Sequence, residues 1–359
     1  MTENKCKEPL GIKMAAARAV ESLLPTKSKN LYNKRYEEFK KWCASKTVQE
    51  YTENVMLAYF EEKQQGFSPS SLWSLYSMLK ATILVKKNID ISRFPKLIAF
   101  IKRQNDGYKP KKSKVLTREE MDRFLIDAPN DKYLLSKVVL TLGVAGACRG
   151  NELCTSKITD VRDVGDMLVV NIRDTKTNVD RTFTIVNNDR SNLNFVELCR
   201  KYMSLRKPNT NHDRFFVYYK DNKCTVQPIG KNFFGKLPRQ IATFLNLSDA
   251  YFYTGHCFRR SSASLLADAG AGADVSALKR HGGWRSATVA EGYVENSLNN
   301  KIQTAEKILI GHEQGTSTVN ANSSTSANVA IKEIRGEHVA PIINLHNCEN
   351  CIINVNIAK

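Results

Sequence analysis

Leu72, Leu75, Tyr76, Leu79 and Ile83 recur at spacings of three and four, directly after Ser68-Pro69-Ser70-Ser71. That period marks one face of a helix, and serine followed by proline is a helix-start signal. The rhythm repeats upstream: Tyr32, Tyr36, Phe39 and Cys43 step by four, three and four, with Lys34, Arg35, Glu37, Glu38, Lys40 and Lys41 on the other face. Val55, Leu57, Ala58 and Phe60 predict a helix after Thr52, and Phe94 to Ile101 another. Residues 28–105 are therefore expected to form an all-α domain. Residues 1–27, with an alanine-rich patch from Met14 to Val20 and then Pro25, read as an N-terminal arm holding one helix.

Residues 106–114 form a basic linker. Lys109, Lys111, Lys112 and Lys114 face only Asp106, and Gly107 and Pro110 interrupt regular structure. Such a run is a solvated connector, a nuclear-import signal or a strap along phosphates. The next domain spans 115–311. Thr117-Arg-Glu-Glu120 is a capping box opening a helix through Met121, Phe124 and Leu125. Tyr133 to Ala145 is apolar enough for a buried helix. Met167–Arg173 and Arg181–Val186 alternate as strands around Asn178-Val-Asp180, a hairpin pattern. Helices are expected at 195–202, 233–245, 258–269 and 287–296. Residues 312–359 comprise a Ser/Thr/Asn-rich linker and a β-prone tail. The fold class expected is mainly α with a small β-sheet or hairpin.

Charge bounds the partners. Fifty-four Lys and Arg against 36 Asp and Glu leave a formal charge of +18, which favours a polyanion, nucleic acid before an anionic membrane surface. No apolar run approaches the ~18–20 residues that span a bilayer, so no membrane partner is expected. The polar start MTENKCKEPLGIK does not read as a secretory signal. Nine irregularly spaced cysteines then read as free thiols in a reducing compartment, cytosol or nucleus.

Polar groups of the second domain fall into a pattern. Arg149 and Glu152 lie three apart in Gly146-Ala-Cys-Arg-Gly-Asn-Glu-Leu153. Lys176 sits at the hairpin tip in Asp174-Thr-Lys-Thr177. His256 and Arg259 lie three apart in Thr254-Gly-His-Cys-Phe-Arg-Arg260, and Trp284 precedes Tyr293 by nine. Singly, each has a plain reading: a surface ion pair worth roughly 0–1 kcal/mol, a solvated lysine, a structural histidine, packed aromatics.

Together and in this order they resemble the tyrosine recombinase (phage-integrase) family. Its motif is Arg with an acid three later, a hairpin Lys, His-x-x-Arg, then His or Trp nine residues before a nucleophilic Tyr. Leu72-Trp-Ser-Leu-Tyr-Ser-Met-Leu79, Gly146-Ala-Cys-Arg149 and His281-Gly-Gly-Trp284 with Val289-Ala-Glu-Gly-Tyr293 look most similar to the Crypton-type recombinases of eukaryotic transposons. The resemblance covers about residues 28–310 and implies a two-domain architecture, an α-helical core-binding domain plus an α+β catalytic domain, clamped round a duplex.

The resemblance also implies the chemistry: DNA strand cleavage and rejoining through a 3′-phosphotyrosine, with no ATP, metal or other cofactor. Arg149 and Arg259 would clamp the phosphate, Tyr293 attack it, Lys176 protonate the leaving oxygen, His256 serve acid–base work, Trp284 hydrogen-bond a phosphate oxygen, and Glu152 orient Arg149. Lys109, Lys111, Lys112, Lys114, Arg181 and Arg260 would contact DNA, so affinity is expected to be salt-dependent. The expected partners are double-stranded DNA and further copies of the chain, a dimer on DNA and a tetramer in synapsis, in the nucleus. Trp284 replaces the commoner His, a permitted variant, and His281 stands three residues earlier as a structural or phosphate-contacting group. Arg260 neighbours Arg259, but the spacing from His256 favours Arg259.

Two other readings compete. A recombinase-derived DNA-binding protein without catalysis would be expected to have lost motif residues, and all are present. A type IB topoisomerase shares the active-site pattern, but the helical domain, linker and Trp-to-Tyr spacing suit a recombinase better. In the tail, Cys348-Glu-Asn-Cys351 after His346 reads as a lone C-x-x-C, a weak zinc or redox signal, or as part of a strand pair. Its Ile-Ile-Asn repeats point to an oligomerisation element. A chain ending at Gly311 should then elute as a smaller assembly on size exclusion; an unchanged oligomeric state would remove the idea.

Overall fold

The computed structural model describes residues 8–173, 180–187, 193–208, 210–269 and 274–309. Lys176 and the tail with Cys348 and Cys351 lie outside the described residues. The chain divides into two compact units, Met1–Lys301 and Ile302–Lys359. The fold is mainly α with small antiparallel sheets, as expected from the sequence.

The first helices are α1 (Leu10–Ser22), α2 (Lys29–Ser45), α3 (Glu53–Gln64), α4 (Pro69–Lys87) and α5 (Pro95–Arg103). Their starts follow local chemistry. Thr52 caps α3 by accepting from the Val55 N–H, and Ser68 caps α4 by accepting from Ser71, with Pro69 in the first turn. Asn88 ends α4 in the left-handed conformation, where asparagine is tolerated. Tyr36, Phe39, Cys43, Phe60, Leu72, Leu75, Leu79 and Ile83, named by their spacing, form one apolar cluster; from α3 it also takes Met56 and Tyr59, while Val55 and Leu57 are only partly buried.

A second and larger cluster is built on α6 (Arg118–Asp127) and α7 (Asn130–Ala145). The capping box is present: the Glu120 N–H donates to Thr117 Oγ1 at 3.2 Å, and the Thr117 N–H to Glu120 Oε2 at 2.9 Å. α7 is buried from Leu134 to Gly143. It packs against α8 (Gly150–Thr155), α9 (Phe195–Ser204), α10 (Lys231–Phe244), α11 (Cys257–Asp268) and two strands, so its carboxyl end delivers the following turn into the interior.

The expected hairpin is β2 (Met167–Ile172) with β3 (Arg181–Val186), antiparallel in the register Val169 to Thr184. A third strand, β1 (Val161–Asp163), pairs with β2. Sequence reading missed the second hairpin, β4 (Val217–Lys220) with β5 (Lys223–Pro228). Its turn residues Asp221 and Asn222 both have positive φ, 50° and 60°. An Asp-Asn pair between alternating residues is the signal of such a turn.

Helix α12 (Val275–Gly282) was also missed; α13 (Ala287–Asn296) matches its expected range, and α14 (Leu298–Leu309) follows. Ala263, Ala267, Leu278 and Ala290 form a small third cluster, against which Trp284 and Tyr293 pack. The described cysteines are free thiols.

Phe124 is fully buried and meets Tyr133 and Phe244 edge-on, with centroids 5.8 and 5.4 Å away. Phe124→Ala should cost about 3–5 kcal/mol through the cavity it leaves, read as a lower urea midpoint with unchanged m-value.

Candidate active site

The turn from Gly146 to Arg149 links α7 to α8. A Cβ on Gly146 would strike the Phe183 ring, so no larger residue fits. Ala147 adopts φ 46° and is fully buried. A left-handed non-glycine residue costs on the order of 1–2 kcal/mol, and here it aims a carbonyl at two arginines.

Arg149 is the residue before α8 and Glu152 lies in its first turn. The Arg149 N–H donates to Glu152 Oε2 at 2.9 Å, and Arg149 Nη1 to Oε1 at 2.6 Å. Glu152 is almost wholly buried. Its Oε2 also accepts from Arg181 Nη2 at 2.8 Å. Arg181 Nη2 reaches the Gly146 carbonyl at 2.8 Å and the Ala147 carbonyl at 3.4 Å.

Arg259, on the first turn of α11, is 5% exposed. Among the described residues it forms no ion pair; Nη1 donates to the Ala147 carbonyl at 2.8 Å and Nη2 to the Gly282 carbonyl at 2.6 Å. Its guanidinium lies 4.6 Å from the Trp284 ring centroid, a cation–π contact. Trp284 stacks on Tyr293 at 5.5 Å and 25°. Arg260 lies 5.9 Å from the Tyr293 ring, and its Nε finds no hydrogen-bond partner among the described residues.

Gly282 and Gly283 shape this corner. A Cβ on Gly282 would collide with Trp284, and Gly283 closes α12 at φ 61°. The Trp284 N–H then returns to the Lys279 carbonyl at 3.0 Å and the Gly283 N–H to Arg280 at 3.2 Å, a Schellman-type end.

Arg149, Glu152, Arg259, Trp284 and Tyr293 thus form one contiguous network, with Arg181 drawn into it. His256 stands exposed before the first turn of α11. His281 hydrogen-bonds Ser262 (Nε2 to Oγ, 2.7 Å) and so ties α12 to α11. Lys109, Lys111 and Lys112 are exposed before α6, whereas Lys114 is tied down. Its ammonium donates to Asp249 at 2.9 Å and to the Ser248 carbonyl at 3.2 Å. Sequence reading did not anticipate the left-handed Ala147 or the interior position of Arg181.

Electrostatics follow from burial. Burial first, then the charges of Arg149 and Arg181, pull Arg259 down to about 10, still protonated at neutral pH. Burial pushes Glu152 up, but hydrogen bonds and charge from Arg181 and Arg149 outweigh it and hold the carboxyl below its ordinary value. Burial drives the Cys148 thiol up to about 12, so it stays protonated as a packing group. Burial, then Arg181 and Arg259, lower His281 and favour neutral imidazole.

Glu152→Gln leaves the buried arginines without their counter-charge and should destabilise by about 3–5 kcal/mol at pH 7. Because the folded-state value of Glu152 is depressed, its contribution is complete above the unfolded carboxyl value of about 4.3. It is lost as pH falls through the lower folded value. Urea titrations should therefore show the gap between wild type and variant closing below about pH 4.3; a pH-independent gap would refute the assignment.

Comparison with known proteins places these elements. The lambda integrase dimer bound to a COC′ core site aligns with TM-score 0.54 at 16% identity, covering 77% of this chain and 93% of that one. XerH site-specific recombinase in a post-cleavage complex with palindromic difH substrate aligns at TM-score 0.53 and 17% identity, covering 72% of each. The Tn1549 transposon integrase in complex with a circular intermediate DNA aligns at TM-score 0.53 and 15% identity, covering 79% and 94%. At these identities the likeness concerns the fold. No curated protein matches the chain in sequence. The phage integrase family model matches residues 114–300, more than half of the chain and the whole segment that carries the arginine network. The chain belongs to the phage integrase family.

Proposed function

We propose that this protein is a site-specific DNA recombinase that cleaves and rejoins strands through a covalent 3′-phosphotyrosine intermediate. One observation carries the reading. Two guanidiniums, the partly exposed Arg149 and the buried Arg259, are linked through the Ala147–Glu152 turn, and Arg259 faces the indole on which Tyr293 stacks. A phosphodiester gathers charge on its non-bridging oxygens as it is attacked, and paired guanidiniums bind such oxygens bidentately at any physiological pH.

In the proposed step Tyr293 Oη bonds to phosphorus as the bond to the 5′ oxygen breaks. The tyrosine proton passes to His256. Lys176, assigned by motif alone, protonates the departing 5′ oxygen. A new 5′ hydroxyl reverses the step and releases Tyr293. Trp284 donates its indole N–H to a phosphate oxygen. The exposed lysines 109, 111 and 112 would lie along the duplex backbone, with Arg260 nearer the reacting phosphate. DNA is the expected partner, with dimers on a site and a tetramer in synapsis. The DNA-bound relatives and the motif support that reading. The phrases around Trp284 and Tyr293 favour a Crypton-type element, acting in the nucleus.

A pool of nicked duplexes tests the proposal. Wild type should yield an SDS-resistant protein–DNA band, absent for Tyr293→Phe although that variant still binds DNA. Arg149→Lys and Arg259→Lys should reduce the band by about 10²–10³-fold. Wild type that binds DNA and never forms the band would leave a DNA-binding protein without catalysis.

A further inference from the structure

We propose that Arg181 is a third interior cation of the phosphate site, a positioning residue that acts through Glu152 and the Gly146–Ala147 carbonyls rather than on DNA directly. The inference deepens the recombinase reading and rests on it.

The position of Arg181 separates it from the basic strap. Its side chain is 7% exposed, whereas Lys109, Lys111 and Lys112 lie in solvent. It enters from the first residue of β3, across the sheet from the turn it supports. One terminal nitrogen, Nη2, serves Glu152 and the Gly146 and Ala147 carbonyls. Its Nε and Nη1 are buried and find no hydrogen-bond partner among the described residues. Nη1 faces the turn before Trp284: a Cβ on Gly283 would lie 3.5 Å from it.

Charge explains why such a residue is kept. A carboxylate that orients an arginine also neutralises it. Here Glu152 gives Oε1 to Arg149 and shares Oε2 with Arg181, so neither cation is fully compensated. Three guanidiniums around one buried carboxylate hold a surplus of positive charge, which is costly in an interior until a counter-charge arrives. A tetrahedral oxyanion between Arg149 and Arg259 supplies it. The depressed value of Arg259, to which Arg181 contributes, agrees with that surplus. Arg181 thus lets Glu152 fix the Arg149 geometry without cancelling the field at the phosphate.

Inorganic sulfate is the probe. Melting temperatures of the full chain are compared in sulfate and in chloride at matched ionic strength for wild type, Arg181→Gln and Arg181→Lys. Wild type and the Lys variant should gain more in sulfate than in chloride; the Gln variant should lose most of that gain. Each gain is read within one variant, so a lower starting temperature does not enter. On nicked duplexes, adduct formation should fall on the order of 10–100-fold in the Gln variant, as for other supporting-shell residues, and recover in the Lys variant. An equal sulfate gain in wild type and Arg181→Gln, or none in wild type, overturns the proposal. Should the Gln variant not fold, the Lys variant decides: a retained gain supports the charge role and a lost one overturns it. If wild type forms no adduct, the recombinase reading fails while the sulfate comparison still judges Arg181.

Discussion

The arginine network of this molecule depends on where one carbonyl points. Ala147 holds φ 46° inside the protein, and its oxygen accepts from Arg259 at 2.8 Å and, more weakly, from Arg181 at 3.4 Å. Arg149 and Glu152 follow in the next turn and Trp284 caps the far side. Turning that peptide outward would strip Arg259 of its hydrogen bond to the Ala147 carbonyl and leave a buried guanidinium short of an acceptor, a loss comparable to or larger than the backbone strain it relieves.

The apolar frame exists to hold that carbonyl in place. α7 is buried along nearly its whole length and ends at Gly146, where the Phe183 ring leaves no room for a side chain. The incoming chain is stitched to the same region: the Leu116 N–H donates to Ser261 Oγ at 2.8 Å, and the Thr254 N–H to Ser113 Oγ at 3.0 Å. Those bonds seat α11, and with it Arg259, against the start of the domain. Lys114, read from sequence as a phosphate contact, spends its ammonium on this seam.

Much of the fold was legible because its signals are local. The three-and-four spacing from Tyr32 to Ile83, the serine and threonine caps, and the Thr117–Glu120 box each name their element without tertiary knowledge. β4–β5 escaped because β4 is only four residues long, too short to show an alternation, although Asp221-Asn222 marks its turn. α12 escaped because its apolar content is slight, with Leu278 as its buried anchor. For the site, the resemblance of their order and spacing to the family's motif pointed to Arg149, Glu152, Arg259, Trp284 and Tyr293, which touch one another in a chain of contacts. The left-handed alanine and the burial of Arg181 had no local signal, since both arise where distant segments converge on Glu152.

The third apolar cluster carries a consequence of its own. α13 rests on α11 and α12 through alanines and Leu278, with Ala290 as its fully buried apolar anchor. A methyl group shielded from water is worth about 0.8 kcal/mol, against roughly 1.5–3 for a large aliphatic side chain. The segment bearing Tyr293 is therefore held on a small fully buried cluster, edged by Trp284, Tyr293 and Val294, while the arginine turn follows the long buried face of α7. Local opening costs least where little apolar surface is buried, so α13 has less to lose on lifting than the α7 scaffold that ends at Gly146.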